Sequence, residues 1–243
     1  MVKPTARLNL EPEDIKFITT ALASSKKVEK LLASPAERDK ILNDPDLFSY
    51  LMTNASMLNI SLSLYFYILI NQALKQVNIE NAQVADYLAS MLATFSVTKR
   101  VNTISGFHKK QYNYLVEIMS DIVHANSKKT FYLHSHMGNY CMFLVGLFPD
   151  HINHNTEYSK MAPNFSYYEH MGSSGYKNAA NSHVARQWEL CQTLQVLSTQ
   201  FKTIRHALNY MVDSYLNIDG RANSVDHILR RVQGEIDRDK HIS

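Results

Sequence analysis

Glycine and proline are scarce in this chain, seven and six in 243 residues. Asp46–Ser105 contains neither, nor does Tyr176–Asp219. Intervals of that length without breakers exclude a fold of many short strands joined by tight turns and favour helices. Cysteine is scarcer still. Cys141 and Cys191 stand 50 positions apart with no CxxC spacing, which excludes a disulfide framework and a Cys-based zinc site. Free thiols in a reducing, cytoplasmic compartment are the expectation. Charge of one sign is lacking too: 25 Lys and Arg against 22 Asp and Glu leave +3, far from the concentrated positive field of a nucleic-acid binder. The N-terminal MVKPTARLNLEPEDIKF has no apolar stretch of signal-peptide length, so secretion is not expected. Absent as well are HExxH, GxSxG, a Walker-type loop and a dinucleotide GxGxxG. Catalytic sites whose residues meet only in space leave no such trace.

What is present is apolar and helically spaced. With 45% hydrophobic residues the chain can bury a substantial core, and the expected class is all-α, a compact multi-helix bundle around a buried central helix. Residues 1–220 are assigned to that bundle and 221–243 to a C-terminal amphipathic helix. Leu47–Leu74 runs 28 residues without a charge. Asn54, Ser56, Asn59, Ser61 and Ser63 dot its middle, whereas a membrane span needs about 20 predominantly apolar residues. It reads as a buried core helix, and no membrane span is expected.

Helix starts can be placed by their chemistry. Ser34-Pro35-Ala36-Glu37 reads as an N-cap, a proline at the first helical position and a capping-box glutamate, and Asp44-Pro45-Asp46 repeats that logic. From Val84, the residues Tyr87, Leu88, Met91, Leu92 and Phe95 recur at helical spacing, with an end near Lys99 and Arg100, and Asn102–Phe107 reads as a connection. Leu115, Val116, Ile118, Met119, Ile122 and Val123 gather on one helix face, which turns the Asp121/His124 pair toward solvent. That pair otherwise resembles half of a di-iron motif.

Thr130–Pro149 contains no Asp, Glu, Lys or Arg. A helix apolar all round belongs inside a core. Its one interruption is a strip of Ser135, Gly138, Asn139, Met142 and Gly146, where a neighbouring backbone can come close and where a buried Asn139 needs a hydrogen-bond partner. His134 and His136 lie about 160° apart on such a helix, too far around it to share one metal. Six histidines surround this element: His134, His136, His151, His154, His170 and His183. Pro149 should end the helix and leave a loop carrying His151 and His154. A transition metal or haem held by His136, His151, His154 and His170 is the cofactor reading these residues allow. His136, Asn139, Tyr140 and Tyr168 are the corresponding ligand-binding candidates.

Gly172-Ser-Ser-Gly175 lacks the strand and lysine of a phosphate loop, so close helix packing is its simpler use. Beyond it the chain reads as helical through Trp188, Leu194 and Leu197, bends near Ser198-Thr199-Gln200, and continues through Phe201, Ile204, Leu208, Met211 and Tyr215 to Gly220. Val225, Ile228, Leu229, Val232 and Ile236 then form a stripe about 100° wide. Five acids balance five bases from Asp219 onward, as suits a helix docking on its own core or a partner.

The run His136-Met-Gly138-Asn139-Tyr140, then Phe143-Leu144-Val-Gly146-Leu147-Phe148-Pro149-Asp150, then Tyr167-Tyr168 and Gly172, resembles a signature of uncharacterised bacterial helical proteins of similar length, over roughly residues 45–217. That resemblance implies a compact helical fold and assigns no catalytic residue. The functional expectation is a helical protein that binds a protein partner or self-associates. A metal- or haem-dependent enzyme built on histidines 134–170 is the alternative.

Overall fold

The computed structural model describes residues 2–23, 25–54, 60–96, 115–150, 152 and 163–216. Every element among them is helical, so the protein is all-α. The helices are α1 (Pro12–Ala21), α2 (Ser25–Leu32), α3 (Pro35–Leu42), α4 (Pro45–Asn54), α5 (Leu62–Gln76), α6 (Ala82–Phe95), α7 (Leu115–Val123), α8 (Ser127–Leu147), α9 (Phe165–Ala180), α10 (His183–Gln187), α11 (Cys191–Thr199) and α12 (Phe201–Met211). A π-helical turn, Val212–Leu216, follows the last of these. Among the described residues no helix is long and apolar enough to cross a membrane. The Asn102–Phe107 connection, His151, His154 and the 221–243 segment lie outside the described residues.

Contacts gather the chain into two compact units. Among the described residues, one comprises Thr94–Asn209; the other comprises Val2–Ala93 and, after it, residues 210–216. In the first, α8 is the central element and is buried at every position from Ser135 to Leu147. Asn126 caps its amino end by accepting from the Lys129 N–H at 2.9 Å, and it ends at Leu147, two residues before Pro149. α7, α9 and α10 pack against it, and α11 packs on α9.

The uncharged run Leu47–Leu74 is not one helix but parts of two, α4 and α5. The break has a chemical cause. Ser61 caps α5 by accepting from the Leu64 N–H at 3.1 Å, and both its backbone N–H and its hydroxyl donate to Asp14, each at 2.8 Å. Asp14 also accepts from the Glu11 N–H at 2.9 Å, at the start of α1. One fully buried carboxylate thus sits at two helix amino ends, where N–H donors and helix dipoles favour negative charge. Asp14→Ala removes the shared acceptor, leaves the part-buried N–H groups of Glu11 and Ser61 and the Ser61 hydroxyl without it, and opens a space where a fully buried side chain stood. We expect a loss of about 3 kcal/mol or more, read as a lowered urea midpoint of the full chain; a shift under about 0.5 kcal/mol, the range of a neutral surface change, would refute this role.

Two further expectations are corrected. Ser34 does stand at the N-cap of α3 with Pro35 behind it, but its side chain caps nothing. Glu37 pairs forward with Lys40 at 2.8 Å instead of back. At α4 the expected logic holds, with Asp44 accepting from the Asp46 N–H at 2.9 Å. The stretch beyond Gly175 is not continuous as far as Ser198. It breaks at Asn181, where Ser182 starts a new helix by accepting from the Ala185 N–H at 3.0 Å, and again at Glu189, whose φ of 56° is left-handed. The bend expected near Ser198-Thr199-Gln200 is present at the α11–α12 junction.

Candidate functional site

The ligand-binding candidates are all buried, His136, Asn139 and Tyr140 on α8 and Tyr168 on α9. His136, Tyr140 and Phe143 share a face of α8, being four and three residues apart. On that face the His136 ring lies 5.8 Å from Phe95 and 6.4 Å from Tyr140, and Phe143 meets Phe95 edge-on at 5.3 Å. Burial pushes the His136 imidazole down to about 3, so at neutral pH it carries no charge. Asn139, 2% exposed, accepts a hydrogen bond from the Tyr176 hydroxyl at 3.0 Å. That supplies the partner which the sequence required of it.

Tyr168 comes from α9. Its ring meets Tyr167 edge-on at 5.6 Å, and burial, with the nearby Cys141 thiol, pushes its hydroxyl up to about 12. Burial also raises the Cys141 thiol, so it remains protonated and a poor nucleophile at neutral pH.

Of the metal candidates within the described residues, His136 is buried among rings while His170 is exposed on α9. Among the described residues no three His, Cys, Asp or Glu side chains gather closely enough to hold a metal ion. Asp121 and His124 do not form half a metal site: Asp121 lies 3.6 Å from Lys129 and His124 is exposed.

What the small-residue strip does is mechanical. A Cβ on Gly138 would stand 2.6 Å from the Tyr176 ring, and one on Gly175 would stand 2.8 Å from the His134 carbonyl oxygen and 2.9 Å from the Gly138 nitrogen. The backbones of α8 and α9 therefore touch where these glycines meet. Gly172 opens a second contact, since a Cβ there would stand 2.4 Å from the Phe201 ring and 2.8 Å from the Cys141 Cβ. Between those two glycines, Ser173 donates to the Ser198 carbonyl while Ser198 donates back to the Ser173 carbonyl, both at 2.9 Å. Gly172-Ser-Ser-Gly175 thus packs α9 against α8 on one side and α11 on the other.

The carboxyl end of α8 is held from α12. Asn209 donates to the carbonyls of Val145 and Gly146, both at 2.8 Å, and accepts from Arg205 at 2.9 Å. Arg205 in turn binds Glu169 at 2.7 Å and lies over the Phe165 ring. Carbonyls that a helix end leaves unpaired are satisfied by this side chain.

Sequence reasoning missed the most polar buried cluster, which lies in the other unit. Asp86, 2% exposed, accepts from the Ala6 N–H at 2.7 Å and from Arg7 Nε at 3.1 Å. The Arg7 guanidinium also pairs with Asp39 of α3. The Thr5 and Ala6 N–H groups donate to Ser90 at 3.0 and 3.2 Å. Burial raises Asp86 against the opposing pull of Arg7. Within reach of the same charges, burial also raises the Tyr67 hydroxyl, which has no hydrogen-bond partner among the described residues. A signal was available: Asp86 is the one charged residue between Glu80 and Lys99, and a lone acid in an apolar helical run is seldom buried unless paired.

Among the described residues of its unit, α7 carries the exposed large apolar side chains. Leu115 and Ile118 are buried, but Val116, Met119 and Val123 are 67%, 45% and 77% exposed. The single apolar face expected for this helix is therefore divided, half against α8 and half outward. Comparison with protein-family models, curated proteins and solved structures finds no match to this chain.

Proposed function

We propose that this chain is a helical protein that associates with copies of itself through apolar helix faces. The observation that carries the reading is the outward stripe Val116–Met119–Val123 on α7. Its i, i+3, i+7 spacing is that of a helix–helix seam, and no charged side chain interrupts it. Three side chains alone fall short of the roughly 1,000 Å² expected of a specific interface. Outside the described residues, the sequence spacing of Val225, Ile228, Leu229, Val232 and Ile236, the pattern of an amphipathic helix, supports the reading. Support also comes from the neutral His136 and the protonated Cys141, which leave the buried face of α8 poorly suited to acid–base or nucleophilic work at neutral pH.

Sedimentation of the full-length chain tests this. The wild type should form dimers or larger species at micromolar concentration, and Val116→Glu with Val123→Glu, both exposed, should shift it toward monomer with an unchanged helical signal. Removing residues 221–243 should weaken association further. A wild type that stays monomeric, or a double variant that associates as before, would overturn the reading.

A further inference from the structure

We infer that the acidic surface formed by Asp39, Asp86 and Ser90 is a receptor for an extended, arginine-bearing segment, and that the N-terminal arm of a second copy can fill it in exchange for the chain's own. The inference rests on the self-association proposed above and names a site that one copy completes in another. The ligand chemistry is on display, because the chain's own arm occupies the surface. Residues 2–5 and 9–11 form no helix or strand, and a turn spans Ala6–Leu8, yet Val2 and Ala6 are 3% and 1% exposed.

Recognition of the arm is divided between backbone and side chain. Ser90 and Asp86 take the Thr5 and Ala6 N–H groups, which any residue could supply. Asp86 and Asp39 together take the Arg7 guanidinium, which only arginine presents as a planar fork to two carboxylates. A segment seated through so few residues can be replaced by an identical one with every contact retained.

Two observations favour release and exchange over a permanent clamp. The link from the arm to α1 is loosely held: Leu8 and Asn9 bond only back to the Thr5 carbonyl, at 3.1 and 2.9 Å, and the Leu8 side chain is 56% exposed. An apolar hinge residue left in water by the closed arrangement is available to pack between two opened chains. The Tyr67 hydroxyl, wholly buried beside the guanidinium, also stays without a partner among the described residues while the arm is seated. A buried donor of that kind weakens the closed state relative to an opened one that admits water.

The test mixes two full-length variants, Thr5→Cys and Ser90→Cys, each also carrying Cys191→Ser; Cys141 is buried and is retained. Ser90 lies beneath the arm at 5% exposure, so chance collision cannot join the two. Under mild oxidation by oxidised glutathione, exchange gives a covalent heterodimer whose yield rises with concentration and falls several-fold when Asp86→Asn is added to the Ser90→Cys chain. If the chains stay separate while a Thr5→Cys, Ser90→Cys double variant closes within itself, exchange is overturned. Sedimentation before oxidation separates the two ideas: dimers without the heterodimer refute arm exchange alone, and monomers throughout refute self-association as well. Should Ser90→Cys fail to fold, a labelled peptide of residues 2–9 at millimolar concentration with the wild-type chain reads the same recognition. Binding that is lost in Asp86→Asn is expected, and no binding overturns the inference.

Discussion

Gly175→Ala is expected to destabilise the Thr94–Asn209 unit, while Gly146→Ala in the same unit is expected to cost distinctly less. On an unhindered helix, alanine for glycine gains about 1 kcal/mol in propensity. At Gly175 the new Cβ would press on two backbone atoms, the His134 oxygen and the Gly138 nitrogen, at 2.8 and 2.9 Å. Neither can rotate away, so α8 and α9 must separate and lose contact along their length. The overpacking cost of about 1–3 kcal/mol then outweighs the propensity gain. Gly138→Ala belongs with Gly175→Ala, since the Tyr176 ring it would strike is fully buried and held by Asn139. At Gly146 the nearest atoms are the Leu208 Cδ1, at 2.8 Å, the end of a side chain that can turn, and the Leu208 Cβ, at 3.2 Å, which must give by a few tenths of an ångström, so the cost there is smaller but not zero. Trp188, the single tryptophan, lies in this unit, so urea unfolding followed by its fluorescence reads all three variants. Equal effects at Gly175 and Gly146 would refute backbone contact as the cause.

The second large effect is acid sensitivity through His136. Its folded value, about 3, lies well below the ordinary 6.5 of an unfolded histidine. Between those values the unfolded chain binds a proton that the folded chain refuses. The stabilisation is therefore complete above about pH 6.5 and is lost as pH falls toward 3, by about 1.4 kcal/mol per pH unit. Over the whole window that approaches about 5 kcal/mol, comparable with the entire stability of a modest domain. His134, lowered by burial as well, adds in the same direction. His136→Phe keeps an aromatic ring beside Phe95 and Tyr140 but has nothing to titrate. Between pH 6.5 and 5, above the range of most carboxylates, its unfolding free energy should fall less steeply than that of the wild type by about one proton's worth. Identical slopes would show that His136 is not the residue responsible.

The element most legible in the sequence was α8, because its run without charge from Thr130 onward belongs inside a core. The glycine pair at 172 and 175 was legible for a related reason: failing the context of a phosphate loop, close packing was the use left for it. Asn139 announced its need for a partner, though not that Tyr176 would supply it, since contacts between helices are written in no local pattern. The less legible features were buried charges. Asp14 sits in a helix whose other charged residues face water, Asp86 in one that is buried almost throughout, and only the tertiary arrangement supplies the donors that each of them needs. The division of α7 escaped for a geometric reason: its six apolar residues spread over an arc wider than one neighbouring helix can cover. The single long helix expected over Leu47–Leu74 failed because Ser61 draws its capping strength from Asp14, far away in sequence.

That last pairing bears on the order in which the chain acquires structure. Asp14 and Ser61 are 47 residues apart, and the dependence runs one way: Asp14 takes the Glu11 N–H within α1 itself, whereas the Ser61 donors at the amino end of α5 need Asp14. A helix as short as the ten residues of α1 is marginal by itself in water. During synthesis α1 should therefore flicker between coil and helix, and its carboxylate is already made when Ser61 clears the ribosomal exit.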